Sequence, residues 1–519
     1  MTGETERALR GDDDERPPRD IRPPSLFDSI FPLATLVTLI AGALALFGLD
    51  ALDGPVQVAL VVSCGVVALI ALKNGYRWDD VQLHGQTALS SLTSAIFILL
   101  AVGALIGTWN LSGTIPTLVY YGIQILDPSW YYLATALICG AIALSIGSSW
   151  TTAGTIGVGL VGIATMIGVS PSITAGAVIS GAYLGDKTSP LSETTILTAQ
   201  MVKADVYEHI RSQVWTSVPA FAIACVVFAI LGVAGPEVQN EISTTIELNS
   251  LNGIYNITPL NLLPLVLLAF LSIRKVPASL ALMISALFAG LLGAILQPDV
   301  MSDFVASLGS SHTGIAGSIQ GVWSAMANGF SIDTGITEID QLLSRGGMAS
   351  MLPTLWLIIG AVTFGVLLEE FGLLDRLIDP LITAARRTGT LFLSVFACAF
   401  GLNVFAGDQY IALVLPSRVF RTTFADRGLA PTNLSRLAAD SGTVTSPLVP
   451  WNSCGAFMAA VLGVSTLRYA PYAVFCFASP ILSVLYGFTG FKLLRTPGTG
   501  SSDAGEPDGR LGAATGGTP

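Results

Sequence analysis

Runs of about 20 apolar residues recur along the whole chain, and they constrain its fold more than any other feature. The runs lie near 30–49, 55–72, 88–109, 129–147, 153–184, 214–234, 259–273, 276–296, 353–368, 390–406, 409–417, 440–467 and 469–491. Only 11% of the 519 residues are charged, whereas a soluble domain carries about 25%. This pattern predicts an all-α polytopic membrane protein and excludes soluble enzymes and nucleic-acid-binding proteins.

The apolar runs are interrupted by Gly, Pro, Ser and Thr at several points. We therefore expect about 10–12 transmembrane helices together with broken helices and re-entrant hairpins. Residues 1–25 are polar and acidic, and residues 496–519 are rich in Gly, Pro, Thr and Asp. Both ends are predicted to be disordered tails, because neither can bury enough apolar surface to fold.

The basic residues predict the orientation in the membrane. When the runs are threaded in order from a cytoplasmic N-terminus, 21 of the 24 Lys and Arg residues fall on the cytoplasmic side. The two long loops on the other side, about 235–258 and 297–344, contain neither Lys nor Arg. The positive-inside rule therefore favours a multi-pass protein of the plasma membrane with both termini in the cytoplasm.

A short sequence repeat indicates that the chain is duplicated. Thr-Ser-Pro-Leu at 188–191 recurs at 445–448, a shift of 257 residues. The same shift carries the run 88–109, threaded outwards, onto 345–366, threaded inwards. Two inverted-topology repeats, 26–258 and 259–495, are typical of secondary transporters. The alternative is a chance match between short motifs in a chain rich in Ser and Thr.

Four carboxylates lie at membrane depth in this threading: Asp186, Glu193, Asp408 and Asp440. A buried charge of this kind costs ~2.5–3.5 kcal/mol on insertion scales and usually serves ion or proton passage. The three histidines fall in predicted loops and are therefore not expected to relay protons: His84, His209 and His312. A carboxylate that binds either a proton or Na⁺ could exchange the two by competition alone.

The carboxylates occur in stretches that a regular helix would avoid. Pro190 and Pro447 each remove an amide donor, which frees carbonyl oxygens for a cation or for hydroxyl groups. Oxygen atoms are the ligands that hard cations prefer. The neutral oxygen ligands predicted from these stretches are Thr188, Ser189, Asn403, Thr445, Ser446 and Asn452. A further polar cluster could form a re-entrant hairpin tip: Ser148, Ser149, Thr151 and Thr152.

Each charged candidate also has a structural interpretation. Lys187 is expected to be the counter-charge of Asp186 or Glu193, but such a pair could simply hold the helix break. Asp440 could cap the segment that follows it, since Asp is a favoured N-cap. Glu193 could instead face a cytoplasmic vestibule, because the end of its span is uncertain.

Four motifs together resemble the NhaC-type Na⁺/H⁺ antiporters of the ion transporter superfamily. They are Ser-Ser-Trp-Thr-Thr at 148–152, Gly-Asp-Lys-Thr-Ser-Pro-Leu-Ser-Glu-Thr-Thr at 185–195, Gly-Asp-Gln-Tyr at 407–410 and Asp-Ser-Gly-Thr-Val-Thr-Ser-Pro-Leu-Val-Pro-Trp-Asn at 440–452. The resemblance covers about 30–492. It implies Na⁺/H⁺ exchange in the plasma membrane through paired hairpins and unwound helices. The family also includes exchangers of small organic acids or amines.

The sequence thus predicts an antiporter rather than an enzyme, with Na⁺ and H⁺ as the transported ions, no cofactor and no structural metal. Its surroundings are membrane lipid, and the net charge of −11 argues against nucleic acid. The rival functions are an exchanger of an organic acid or amine, and a channel that passes ions without coupling. Monomer and homodimer are both left open.

Overall fold

The computed structural model describes residues 21–234 and 241–496. No strand forms in these two ranges, where an isolated bridge pairs Leu429 with Arg495. The prediction of an all-α protein is therefore confirmed. The predicted tails fall mostly outside the described residues, and the first helix begins at Leu26, where the first repeat was expected to start.

The first half of the chain is a succession of helices whose lengths alternate between long and short. They are α1 Leu26–Phe47, α2 Pro55–Lys73, α3 Trp78–Ser91, α4 Thr93–Leu111, α5 Thr114–Ile125, α6 Tyr131–Ile146, α7 Ser149–Thr152, α8 Val158–Met166, α9 Pro171–Thr188, α10 Glu193–Met201 and α11 Val206–Val233. A π-helical turn, Ala153–Gly157, joins α7 to α8.

The second half continues in the same way. Its helices are α12 Glu241–Ile254, α13 Leu263–Ile273, α14 Ala278–Leu296, α15 Pro298–Ser307, α16 Gly314–Asn328, α17 Thr337–Leu343, α18 Leu352–Glu370, α19 Leu373–Ala384, α20 Thr388–Phe405, α21 Gln409–Val419, α22 Arg421–Asp426, α23 Pro431–Ala438, α24 Ser453–Leu462, α25 Thr466–Tyr469 and α26 Val474–Thr489. A second π-helical turn, Ala439–Thr443, extends α23. Such turns often occur at functional sites.

Eight helices in the described part of the chain are long and apolar enough to cross a bilayer, and two bent helix pairs raise that number to ten. The bends are 88° between α12 and the segment that ends with α13, and 56° between α25 and α26. A multi-pass membrane protein is therefore confirmed, with a span count at the lower edge of the predicted range.

The predicted outer loop 235–258 contains α12, and the predicted outer loop 297–344 contains α15, α16 and α17, so both are wrong as loops. The four helices have 14, 10, 15 and 7 residues. Each is shorter than the roughly 20 residues that mark a membrane span, so a search for long apolar runs does not find them.

The order of helices follows the predicted shift of 257 residues. When α4, α5 and α6 are moved by this shift, their bounds fall within two residues of those of α18, α19 and α20. Helices α9, α10 and α11 likewise correspond to α23 with its π-helical turn, to α24 and to the bent pair α25–α26. The correspondence covers helices with no sequence motif in common, which favours a duplication over a chance match.

Helices α11 and α26 correspond under this shift, and they pack against each other. Tyr486, near the end of α26, donates a hydrogen bond of 3.0 Å to the carbonyl of Trp215, near the beginning of α11. Phe475, at the beginning of α26, packs edge-on against Phe221, further along α11. The two helices therefore run antiparallel, which favours inverted repeats; the inversion itself stays a prediction.

Two glycines allow the helix of the first motif, α9, to pack closely against α6. Gly181 and Gly185 of α9 lie so close to α6 that a Cβ at either position would overlap the α6 backbone. Small residues allow this approach, and helix packing inside membranes depends on it. The C-terminal end of α9, with its acidic and basic pair, is thus fixed against α6.

Candidate cation site

The first motif is a helix that ends inside the protein and restarts after a break. The helix α9 ends at Thr188, and α10 begins at Glu193. Pro190 lies in the break and has no amide hydrogen to continue the helix. The hydroxyl of Ser189 donates to the carbonyl of Leu144 at 2.8 Å, which fastens the break to α6. Asp186 is therefore held near the last turn of a rigid helix.

Both carboxylate oxygens of Asp186 accept hydrogen bonds from hydroxyl groups. Ser149 donates to Oδ2 at 2.6 Å. Ser192 and Thr194 donate to Oδ1 at 2.7 and 3.1 Å. The three hydroxyls come from α7, from the break and from α10, and Asp186 is only 7% exposed. With Asp186 itself on α9, four oxygen-bearing groups from four segments thus meet at one point; we call this group the Asp186 cluster.

The carbonyls that the break frees also have hydroxyl partners. The hydroxyls of Thr194 and Thr195 donate to the carbonyl of Asp186 at 3.1 Å, and that of Thr195 also donates to the carbonyl of Lys187 at 2.8 Å. Hydroxyl groups can rotate and present a lone pair in place of a hydrogen. The cluster therefore offers carboxylate, hydroxyl and carbonyl oxygens, which suit a dehydrated hard cation.

Lys187 pairs with Asp440 of the second motif, not with Asp186 or Glu193 as expected. Each residue of a helix is turned about 100° from the one before it, so neighbouring side chains on α9 face different elements. The ammonium group also donates to Thr216 at 3.3 Å and to Ser479 at 2.7 Å. The side chains of Lys187 and Asp440 are both fully buried. The pair therefore joins the two halves of the chain.

Asp440 does not have the capping role considered for it, whereas Asp408 does cap a helix. Asp408 is the N-cap of α21, and its Oδ1 accepts from the backbone amides of Tyr410 and Ile411 at 2.8 and 3.0 Å. Asp440 lies within the π-helical turn after α23, and its Oδ1 accepts from Thr216 and Ser479. This cap gives Asp408 a structural role. The residue is nearly buried, with 9% of its surface exposed.

Glu193 lies at an exposed rim at the start of α10. Its Oε2 accepts a hydrogen bond of 3.0 Å from the hydroxyl of Tyr410. The vestibule interpretation therefore describes its position better than membership in the cluster. Since Tyr410 follows Asp408 closely in sequence, this bond connects the break in the first motif with the cap of α21.

The predicted neutral ligands of the second motif bond to one another. Asn403 donates to the carbonyl of Gly442 at 2.7 Å and to the hydroxyl of Thr445 at 2.9 Å. Asn452 donates to Oδ1 of Asn403 at 3.1 Å and caps α24. The hydroxyl of Ser446 donates to the carbonyl of Thr443 at 2.7 Å. These groups stabilise the unwound segment in the described arrangement.

Of the predicted hairpin, Ser149 alone contacts Asp186 among the described residues. Thr151 donates to the hydroxyl of Ser148 at 3.0 Å, and Thr152 donates to the carbonyl of Ser148 at 2.9 Å. The hydroxyl of Thr188 bonds back to the carbonyl of Leu184 within its own helix. The structure thus brings together a smaller set of groups than the motifs suggested.

Sequence reasoning missed several residues of these clusters. Ser192 and Thr194 lie inside the quoted first motif, so their place in it was the available signal. Thr216 and Ser479 lie on long apolar helices, where no local pattern separates them from packing residues. No motif pointed to Arg436, which lies in α23 and is fully buried.

The expectation that all histidines lie in loops is wrong for His209. This residue belongs to α11 and is fully buried. Its Nδ1 lies 2.7 Å from the hydroxyl of Ser435, and its Nε2 lies 2.6 Å from the side-chain nitrogen of Gln213. A run of polar residues at the start of α11 looks like a loop in sequence, whereas tertiary contacts continue the helix through it.

A bundle of membrane spans with broken helices and buried oxygen clusters defines the class of secondary transporters. The sequence matches the Na⁺/H⁺ antiporter family over residues 29–211 and 181–491. The chain belongs to this family, of the NhaC type, as the motifs had indicated.

Three relatives show the breadth of the family. The Na⁺/H⁺ antiporter NhaC of Alkalihalophilus pseudofirmus is 34% identical over 439 residues, which cover 84% of this chain and 90% of that protein. The malate-2H⁺/Na⁺-lactate antiporter of Bacillus subtilis is 34% identical and covers 91% of this chain and 96% of its own length. The arginine/ornithine antiporter ArcD of Halobacterium salinarum is 34% identical, with coverage of 91% and 93%.

Proposed function

We propose that this antiporter exports Na⁺ in exchange for H⁺ and that Asp186 binds the exchanged ion. The observation that supports the proposal most strongly is the Asp186 cluster, where three hydroxyls surround a buried carboxylate at a helix break. A buried carboxylate at membrane depth is expected to serve ion or proton passage. The family membership supports the same function.

Exchange follows from competition at one group. In the proposed cycle, Na⁺ displaces the proton of Asp186, and the hydroxyls of Ser149, Ser192 and Thr194 turn their lone pairs towards the ion. A proton arriving from the other side of the membrane then displaces Na⁺. Because the carboxylate binds either H⁺ or Na⁺ but not both, each ion crosses the membrane in exchange for the other.

Everted membrane vesicles test this proposal. The vesicles are energised to be acidic inside, and Na⁺ is then added in the presence of a pH-sensitive dye. We expect Na⁺ to dequench the dye with the natural chain and to leave it quenched with Asp186→Asn. The matched control is Asp299→Asn, an exposed carboxylate at the start of α15, which is expected to keep the response.

The proposal is wrong if a correctly inserted natural chain gives no Na⁺-dependent signal, or if Asp186→Asn keeps the full signal. The amount of protein in the vesicles and its elution as a single species from detergent are measured alongside. These measurements separate a loss of transport from a loss of protein. Asp408→Asn is tested in parallel; because Asn can still cap α21, loss of the response would assign a transport role to the charge of Asp408.

Exchange of a small organic anion is the second candidate, and the buried Arg436 favours it. Arg436 and Lys187 are both fully buried, and Asp440 pairs with Lys187, so Arg436 adds a buried positive charge. An anionic solute would balance the extra charge. The test is solute-driven exchange in proteoliposomes with malate, lactate and arginine. Uptake that depends on malate or lactate, without a signal from Na⁺ alone, would favour this function, whereas uptake of the cationic arginine alone would contradict it.

The placement of the chain in the membrane is part of the proposal. The basic residues favour a plasma membrane protein with both termini in the cytoplasm. The inverted repeats would then place the Asp186 cluster near the middle of the membrane, where the two halves meet. Protease protection of tags at each terminus, in right-side-out and everted vesicles, measures this orientation directly.

A further inference from the structure

Three helices carry stripes of polar residues that are buried rather than exposed. On α11 the stripe is His209, Ser212, Gln213, Thr216 and Ser217. On α23 and its π-helical turn it is Thr432, Ser435, Arg436 and Asp440. On α26 it is Ser479 and Ser483. Residues three and four apart lie on one face of a helix, so each stripe forms one surface.

The three stripes face one another. At one end, Asp440 accepts hydrogen bonds from Thr216 of α11 and Ser479 of α26. One to two turns away, His209 of α11 contacts Ser435 of α23. The polar surfaces of the three helices therefore line a common interior, which begins at the Lys187–Asp440 pair.

Many polar atoms on these stripes have no hydrogen-bond partner among the described residues. They are Oγ of Ser212, Oε1 of Gln213, Oγ of Ser217, Oγ1 of Thr432, Nε and Nη2 of Arg436, Oδ2 of Asp440 and Oγ of Ser483. Buried polar groups are nearly always hydrogen-bonded to protein or to ordered water. A set of such atoms on three facing stripes indicates bound water, which makes about three bonds with polar groups around it.

The charge along the stripes is positive. Lys187 and Arg436 contribute two buried cations, and Asp440 contributes one buried anion. Arg436 donates to the carbonyl of Lys492 at 3.2 Å through Nη1, while two of its nitrogen atoms stay unpaired among the described residues. A low-dielectric interior with an uncompensated positive charge disfavours a second cation. Water can enter such a space, and Na⁺ is repelled from it.

A short C-terminal segment covers the end of these stripes; we call Lys492–Thr496 the strap. Asn433 of α23 donates to the carbonyl of Leu494 at 2.6 Å and accepts from its amide at 3.1 Å. The amide of Ala430 also donates to that carbonyl, at 2.9 Å. Lys492 has a φ of 51°, a left-handed conformation that a lysine rarely adopts. The strap is thus attached through one strained residue and a few bonds to the start of α23.

We propose that the three stripes enclose a hydrated passage that runs from the Lys187–Asp440 pair to the start of α23, and that the strap closes it. The passage excludes cations because of Arg436 and Lys187. It is separate from the acidic rim at Glu193, which lies near the Asp186 cluster. Water and protons would therefore reach the interior by a different route from Na⁺.

Thiol labelling tests the passage without relying on transport. Ser483→Cys is treated in membranes with an anionic and with a cationic methanethiosulfonate, and peptide mass spectrometry identifies the labelled cysteine. The lipid-facing control is Leu485→Cys on the same helix, where the side chain is 49% exposed. We expect Ser483→Cys to react faster than this control, and about tenfold faster with the anionic reagent than with the cationic one.

Loosening the strap is the second part of the experiment. Asn433→Ala removes the bonds to Leu494, and we expect it to increase labelling at Ser483→Cys but not at Leu485→Cys. Arg436→Gln is expected to remove the preference for the anionic reagent. Ser212→Cys repeats the measurement from α11, and a monodisperse elution profile shows which variants fold.

The proposal is overturned if neither Ser483→Cys nor Ser212→Cys reacts above the control in the Asn433→Ala background. Faster labelling by the cationic reagent would overturn the exclusion of cations. Labelling that is unchanged by Asn433→Ala would overturn the closing role of the strap. None of these outcomes depends on whether Na⁺/H⁺ exchange is found.

Discussion

The two motifs that share Thr-Ser-Pro-Leu both interrupt a helix, but their carboxylates have different side-chain partners. In the first motif, Asp186 is surrounded by the hydroxyls of a break and a hairpin. In the second, Asp440 is fixed by a buried lysine, and amide groups hold the unwound segment. The repeated sequence therefore belongs in the first motif to a cluster suited to an exchangeable ion. In the second motif it lies beside a carboxylate that is paired with a buried lysine.

The shift of 257 residues explains why the two interiors differ. It places Asp186 opposite Thr443 and Asp440 opposite Tyr183, so the carboxylates are not equivalent. Each half instead supplies a carboxylate where the other half has a neutral side chain. On the predicted duplication, the breaks in the helices were preserved while the charged groups diverged.

The largest effect is expected when the buried ion pair between Lys187 and Asp440 of the second motif is broken. Lys187→Met leaves Asp440 buried without its cation, and loss of one partner of a buried pair costs about 3–5 kcal/mol. We expect a large drop in the unfolding temperature in detergent. The double variant with Asp440→Asn is expected to recover much of the loss, since it removes both charges of the pair. Additive losses would contradict the pairing.

Glycines at equivalent positions of the two motifs give the next effect. A Cβ at Gly185 would overlap the backbone of Ala143, whereas one at Gly442 would lie 2.7 Å from the carbonyl oxygen of Ala412. Overpacking of a tight contact costs about 1–3 kcal/mol. We expect Gly185→Ala to be near the upper value and Gly442→Ala near the lower one in thermal unfolding. The reverse order would show that the first motif is the more adaptable.

Hydroxyl deletions within the first motif separate a group that contacts Asp186 from one that does not. Ser192→Ala removes a donor to Asp186, and a bond to a charged group is worth about 1.5 kcal/mol or more, which is about tenfold in affinity. We expect the Na⁺ concentration for half-maximal dequenching to rise about tenfold. Thr188→Val is the matched control, because its hydroxyl bonds within its own helix. Equal effects of the two variants would contradict the Asp186 cluster.

The sequence predicted the class of fold and the breaks because both follow from local chemistry. Long apolar runs require helices in a bilayer, and Pro190 and Pro447 each lie at a helix break. The same reasoning could not find the partner of Lys187, since Asp440 lies 253 residues away and no local pattern joins them. Arg436 was missed for a similar reason, because no local pattern shows that tertiary packing buries it.

The smallest expected effect concerns the bond that connects the rims of the two halves. Tyr410 donates to Glu193 at 3.0 Å, but Glu193 is exposed and Tyr410 is 45% exposed. Water competes for both groups, and interactions between exposed groups are worth less than about 1 kcal/mol. Tyr410→Phe is therefore expected to change the half-maximal Na⁺ concentration by less than about fivefold. A larger change would mean that Glu193 and Tyr410 close over the ion during transport, which would move the rim into the binding site.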